Sequence, residues 1–525
     1  MNLKLILLLS FKIFISGHIW SQSQNLSIIP YPQQAIVETG VHTVFGALKL
    51  ETNVKDFKLH LKNWENQVNE YLDSTRSRKT KVYLIYDKKL KNKEAYNLVI
   101  TKQKITISAS HPAGAYYGLQ SLKQLVFDSL NSETHSLPLV KIKDAPRYSW
   151  RGFMLDESRH FFGKDQVKLI LDMMALQKLN VFHWHLTDEP GWRIEIKQYP
   201  KLTTVGGLGN YSNPKTKARF YSQEDIKEII AYAKDRFIQV IPEIDMPGHA
   251  SAANRSYPEF NGGGNEKHPD FTFNPGKEET YQYLTNILRE VALLFPSPYI
   301  HIGGDEVHFG NDKWAVDSSV KALMKRENLQ DIKAVEHYFL NRMHDSILSL
   351  NKTMIGWDEI TAANLPQSKT TVMWWRHDKP KLLQQSLADG YKTIMCPRLP
   401  LYFDFVQHDS HKDGRRWNGF CSLDQVYNFP NKTSIGGPFF ENDLVLGIQA
   451  NVWTERIHTT ERLQFMIFPR LSALAEAAWT LDQNKNYKNF QNRLKGMFSI
   501  YRNRNMTYFD VFNPEKQEEI LGPNN

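Results

Sequence analysis

The chain has 525 residues, 41% apolar and 23% charged. This excludes a disordered or fibrous protein and leaves room for roughly two to four domains of about 100–200 residues. Two cysteines, Cys396 and Cys421, exclude a disulfide-stapled scaffold and a four-cysteine zinc site, and they can pair or remain thiols. The balance of 65 basic against 56 acidic residues gives +9. No basic helix or nucleic-acid motif goes with it, so nucleic acid is not an expected partner.

Met1-Asn2-Leu3-Lys4 precedes a mostly apolar stretch from Leu5 to Ile15, then small and polar residues from Ser16 to Ser23. That order predicts a secretory signal over 1–23 and an exported protein, periplasmic or secreted. The apolar run falls short of the about 20 residues a spanning helix needs, and no later segment reaches that length, so no membrane span is expected.

From Ile28 to Ala145, strand and helix signals mix. Tyr96–Ile100 and Lys104–Ser108 alternate apolar with polar side chains, as half-buried strands do. Ala113 to Phe127 reads as a helix with Ala115, Leu119, Leu122 and Val126 on one face. A small α+β domain over 24–145 is expected, with Asp144-Ala145-Pro146 as its boundary.

After Arg147 the pattern becomes regular strand–helix alternation. Apolar runs recur at Gly152–Leu155, Val181–His185, Ile238–Ile244, Tyr299–Ile302, Thr353–Trp357, Thr371–Trp375, Tyr391–Met395 and Leu444–Val452. Amphipathic helices lie between many of them, one introduced by a Ser222-x-x-Asp225 capping pattern. Eight such runs over 146–525 predict an α/β fold, a (β/α)₈ TIM barrel, in preference to an open doubly wound sheet. Catalytic groups are then expected where each strand meets its following loop.

The strand ends match that expectation. They read Asp156-Glu157-Ser158-Arg159-His160, His183-Trp184-His185-Leu186-Thr187-Asp188-Glu189, Glu243-Ile244-Asp245-Met246-Pro247-Gly248-His249, His301-Ile302-Gly303-Gly304-Asp305-Glu306, Trp357-Asp358-Glu359, Trp374-Trp375-Arg376, Tyr402-Phe403-Asp404 and Trp453-Thr454-Glu455. Folding gains nothing from ionisable groups there, since burying one unpaired costs several kcal/mol. Trp357, Trp375 and Trp453 on one rim suit a sugar ring or an acetyl methyl. Asp305 and Glu306 follow a Gly303-Gly304 turn expected to let the backbone approach a ligand. Neighbours in sequence cannot easily flank a glycosidic bond from opposite faces. One can therefore be the acid while the other holds a substrate group that acts as nucleophile.

Taken together, the Arg159, His183–Asp188, Pro242–His249, His301–Glu306 and Trp453–Glu455 motifs resemble the β-N-acetylhexosaminidases of glycoside hydrolase family 20. The resemblance runs from about residue 28 past 480 and includes the Ala113–Leu119 helix. It implies an exo-acting retaining enzyme that removes terminal N-acetyl-β-D-hexosamine from an oligosaccharide or glycoconjugate, with no cofactor and no metal. It implies substrate-assisted catalysis through an oxazolinium ion. By this resemblance Glu306 is the general acid and then the base, and Asp305 orients the 2-acetamido group. Tyr402 would bond the acetamido oxygen, and Trp357, Trp375 and Trp453 would wall its methyl. Arg159 and Glu455 would bind ring hydroxyls. Asp188 and His249 would support the acid–aspartate pair or line the pocket, and Asp404 would fix Tyr402 or the acetamido nitrogen.

Two departures stand out. Glu189-Pro190 replaces the Asp-Gln often found in the family. Phe405–Phe420, with His408, His411 and Arg415-Arg416-Trp417, does not align, and Trp417 is either an acceptor platform or loop packing. The rival readings are a metal-dependent amidohydrolase-like barrel using His183-x-His185 and a sugar-binding protein without catalysis. The sequence sets no oligomeric state.

Overall fold

A computed structural model describes residues 26–70, 72, 79–130, 135–416, 419–435 and 437–521. The expected leader at 1–23 and Trp417 lie outside the described residues. The first unit is a six-stranded sheet built from β1 (Gln34–Thr43), β2 (Leu48–Glu51), β3 (Thr80–Tyr86), β4 (Tyr96–Ile100), β5 (Ile105–Ala109) and β6 (Ser136–Asp144), ordered β1-β6-β4-β5-β3-β2. Alternation in β4 and β5 buries every second residue, and the helix Pro112–Leu130 packs its Ala115, Leu119, Leu122 and Val126 against that face.

Eight parallel strands then close into a barrel. They are β7 (Trp150–Asp156), β8 (Val181–His185), β9 (Gln239–Glu243), β12 (Tyr299–His301), β13 (Thr353–Trp357), β14 (Thr370–Trp374), β15 (Lys392–Met395) and β16 (Val445–Val452). The short ribbon β10 (Asn261–Gly263) and β11 (Thr272–Phe273) sits in the loop after β9. Helices Lys164–Leu176, Gln223–Lys234 and Glu278–Leu294 pack outside, and Ser222 with Asp225 forms the expected reciprocal cap. Each barrel strand is buried or nearly so, so the polar residues at its C-terminal end must find partners inside the protein.

The two units share one hydrophobic core. Asp144, the last residue of β6, holds them together: its carboxylate accepts from Tyr96 Oη (2.7 Å), Lys178 Nζ (3.0 Å) and Trp479 Nε1 (2.9 Å). Burial pushes the Lys178 ammonium down, and Asp144 pulls it back up. Cys396 and Cys421 are buried free thiols.

Candidate active site

The strand ends open on one cavity of about 1060 Å³. Arg159, Asp188, His249, Asp305, Glu306, Trp357, Trp375, Tyr402, Trp453 and Glu455 all line it, although they come from eight different strand ends. Asp404 lies just behind the wall, 2% exposed.

The backbone is bent to present the acid pair. Gly303 and Gly304 have φ of +68° and +86°, and Glu306 itself sits in the left-handed region at φ +52°. His249, across the cavity, has φ +53°. A non-glycine residue there costs of the order of 1–3 kcal/mol, strain that clusters at functional sites. From sequence these glycines are expected to let the backbone approach a ligand; the space a side chain would need at each is instead filled by protein. A Cβ on Gly303 would lie 1.9 Å from Asp245 Oδ1, and one on Gly304 would lie 2.7 Å from Ile360. Their small size makes room for protein side chains behind the pair.

Glu306 faces His249, whose Nε2 is 3.6 Å from its Oε2 and 3.8 Å from Asp305 Oδ2. These are ion-pair rather than hydrogen-bond distances. His249 Nδ1 sits 3.1 Å from Asp188 Oδ1, and Asp188 Oδ2 takes Arg159 at 2.7 Å and His185 Nε2 at 3.0 Å. Burial opposes a charge on His249, but Asp188 outweighs it and holds the imidazole well above its usual pKa. Burial would raise Glu306, but the facing His249 imidazole holds it below the ordinary carboxyl value. Asp305 is pushed up to about 7, chiefly by burial, with Glu306 and Glu243 adding to the shift and His249 opposing it. Asp245, buried behind Asp305, is raised well above normal by burial and by Asp305. These shifts favour a proton on the Asp245–Asp305 side and an anionic Glu306 against His249.

The aromatic residues form one wall. Trp375 and Tyr402 lie nearly parallel, 12° apart with centroids at 6.4 Å. Trp453 meets Tyr402 at 6.1 Å and Trp357 at 5.9 Å. The Arg159 guanidinium lies 4.9 Å from the Trp453 ring centroid, a cation–π contact that fixes both. Trp375 Nε1 donates to Glu359 Oε2 (3.0 Å).

Asp404 pairs with Arg415 Nε (3.0 Å) rather than with Tyr402, and the same guanidinium binds Glu455. Burial lifts Asp404 to about 7 despite Arg415. Arg415 belongs to the segment that sequence reasoning could not place. It reaches the cavity because the loop is anchored from behind: Arg462 donates to Asp413 O (2.7 Å) and Glu519 (2.9 Å), and buried His411 packs on Phe465 and Phe509. Glu189 and Pro190 shape the rim, Glu189 with His268 (3.1 Å) and their carbonyls with Arg255 (3.0 and 3.5 Å).

Sequence reasoning also missed Glu243 and Asp245, quoted in a strand-end motif without a role. The signal was present: both are carboxylates at a barrel strand end, where folding alone does not favour them. His183, Glu243 and His301 bring three potential metal-binding atoms within 4.8 Å of one another. They are hydrogen-bonded to one another or to neighbours, as described below.

Residues 148–482 match the sequence model "Glycosyl hydrolase family 20, catalytic domain", and residues 25–145 match "Glycosyl hydrolase family 20, domain 2". A beta-hexosaminidase of Porphyromonas gingivalis is 38% identical over 79% of this chain; the match spans 54% of that relative's length. A solved exo β-N-acetylglucosaminidase of Vibrio harveyi, in complex with N-acetylglucosamine, superposes with a TM-score of 0.82 at 30% identity, over 93% of this chain and 78% of that one. A β-N-acetylhexosaminidase of Bacteroides fragilis gives 0.80 at 30% identity, over 94% and 99%.

Proposed function

The chain belongs to glycosyl hydrolase family 20, and from that premise we propose that it is an exo-acting, retaining β-N-acetylhexosaminidase working by substrate assistance. One observation carries the reading. Among the described carboxylates lining the cavity, Asp188, Glu189 and Glu455 are held by basic side chains and Asp245 is only 3% exposed, which leaves the Asp305–Glu306 pair to act on the glycosidic bond. Asp188 is held by Arg159, His185 and His249, Glu189 by His268, and Glu455 by Arg415, while Asp245 is buried behind Asp305. A glycosidase with its own nucleophile sets two carboxyl groups on opposite sides of the bond, about 5–5.5 Å apart. Here the two available groups are neighbours on one turn.

The sugar's amide then supplies the attacking atom. The acetamido oxygen bonds to the anomeric carbon as the glycosidic C–O bond breaks, and the Glu306 proton goes to the leaving oxygen. Asp305 accepts the acetamido N–H and balances the charge of the oxazolinium ring. Water then adds to the anomeric carbon, gives its proton to Glu306, and the ring reopens to the acetamide. Substrate favours the opposite placement of the proton. An amide N–H at Asp305 favours its carboxylate. An acceptor sugar over Glu306, whose side chain is 31% exposed, removes water and favours its acid form. Tyr402 and the three tryptophans receive the acetyl group, and Arg159 and Glu455 the ring hydroxyls. The substrate is an oligosaccharide or glycoconjugate ending in N-acetylhexosamine, met after export by the leader expected at 1–23.

The test compares nitrophenyl N-acetyl-β-glucosaminide with nitrophenyl β-glucoside. The first is hydrolysed and the second is not. Comparable rates on both would overturn substrate assistance.

A further inference from the structure

Behind the acid pair lies a buried chain of charges that the mechanism above does not use. Register builds it: His185 on β8 and His301 on β12 are each paired with Glu243 on β9. The Glu243 side chain is fully buried. Its Oε1 accepts from Trp357 Nε1 (3.0 Å) and lies 2.9 Å from His301 Nδ1. Its Oε2 lies 2.6 Å from His185 Nδ1 and 2.9 Å from His183 Nε2. The His183 tautomer is fixed from outside. Trp150 Nε1 donates to Gln449 Oε1 (3.2 Å), so the Gln449 amide N–H points at His183 Nδ1 (3.0 Å), and the proton of His183 lies on Nε2, toward Glu243.

His185 has carboxylate oxygens at both ends, Glu243 Oε2 at 2.6 Å and Asp188 Oδ2 at 3.0 Å. A neutral imidazole carries one N–H and would turn a lone pair on one of them. The oxygens that face His185 are not free to carry a proton. Glu243 Oε2 also has His183 Nε2 against it, while Oε1 meets Trp357 and a His301 Nδ1 that accepts the Gly303 N–H (3.0 Å). Asp188 Oδ2 also takes Arg159, and Oδ1 takes His249 and the Glu189 N–H (2.6 Å).

We propose that His185 is a positioning residue for the acid step, an imidazolium clamped between Glu243 and Asp188 that fixes the Asp188 carboxylate and, through it, the charge and direction of His249 against Glu306. The inference rests on Glu306 being the acid of the proposed mechanism. Burial alone would discharge His185, but Glu243 and the hydrogen bonds to Asp188 and Glu243 hold it well above its usual pKa, with Asp156 assisting. The other charged or titratable groups in this network are His183, His301, Arg159, Asp245 and Asp305, and each must keep its state for His185 to act in this way.

The experiment measures kcat/KM against pH for wild type, His185→Gln and Glu243→Gln, with a poor and an activated leaving group on the N-acetyl-β-glucosaminide. Glutamine at 185 can donate to Asp188 but cannot carry the charge. Removing a positive charge stabilises protonated neighbours, so H185Q moves the alkaline limb upward by about one pH unit, and E243Q moves it the opposite way. Both variants lose more rate on the poor leaving group. Unshifted limbs with a uniform loss on both substrates would reduce His185 to packing and overturn the proposal. If a variant does not fold, neutron diffraction of the wild type decides: deuterium on both His185 ring nitrogens is expected, and a single one overturns the inference. A wild type inactive on the N-acetyl-β-glucosaminide would instead defeat the mechanism on which the inference rests.

Discussion

Arg415 Nε stands 3.0 Å from Asp404 Oδ2 while the other arm of the guanidinium binds Glu455, so one residue from an irregular loop fixes two carboxylates on two different strand ends. A charge-assisted bond of this kind is worth about 1.5–3 kcal/mol. Arg415→Met is therefore expected to raise KM by about tenfold or more and to change kcat by a smaller factor. Steady-state kinetics on the nitrophenyl N-acetyl-β-glucosaminide check this, and an unchanged KM would remove Glu455 and its Arg415 partner from sugar binding.

Glu306→Gln keeps the shape of the acid and removes its proton. Acid–base assistance of about 10²–10⁴-fold should be lost on alkyl or sugar leaving groups. A dinitrophenyl leaving group needs little protonation and should retain most of its rate. Equal losses on the two substrates would argue against the acid role.

Asp305→Asn is expected to lower turnover by about 10²–10³-fold while product still binds, because the lost group stabilises charge that develops only during reaction. It also has a stability signature. The Asp305 pKa of about 7 in the fold exceeds its unfolded value of about 3.9. The folded state thus binds the proton more tightly, and stability falls as pH rises through that window. D305N should melt above wild type at pH 8, and the gap should close below about pH 4. Thermal melts at both pH values test the sign.

Asp144→Ala leaves the Lys178 ammonium buried without its carboxylate and removes acceptors from Tyr96 and Trp479. Breaking such a pair costs about 3–5 kcal/mol. Adding Lys178→Met should recover much of that loss, since an apolar pair removes the stranded charge. Denaturant unfolding of both variants reports it, and a double variant no better than the single would put the cost elsewhere.

Dialysis against a strong chelator should leave turnover unchanged, because the reaction proposed here takes its nucleophile from the substrate and its proton from Glu306. Loss of activity restored by a divalent metal would favour the His183–Glu243–His301 cluster as a metal centre instead.

The barrel was legible in the sequence because its signal is local. Eight apolar runs separated by amphipathic helices specify strands and helices through periods of two and 3.6, and a closed parallel barrel then carries every strand's C-terminal end to one rim. The sequence alone therefore marks Asp305, Glu306 and the tryptophans as neighbours. The small α+β unit and the cap at Ser222 were readable for the same reason.

The tertiary structure decided what depends on side chains meeting across the barrel. The sequence contains His185 and Glu243, but only the register of β8 against β9 sets Oε2 at Nδ1 and makes the imidazole a cation. It contains Gly303, but only the packing of Asp245 shows why a side chain cannot stand there. It contains Arg415, but no periodicity marks an irregular loop whose course is fixed by Arg462 and Glu519 from the far end of the chain. Hydrophobic patterning is set by neighbours in sequence, whereas a protonation state is set by the charges that folding brings within a few ångströms.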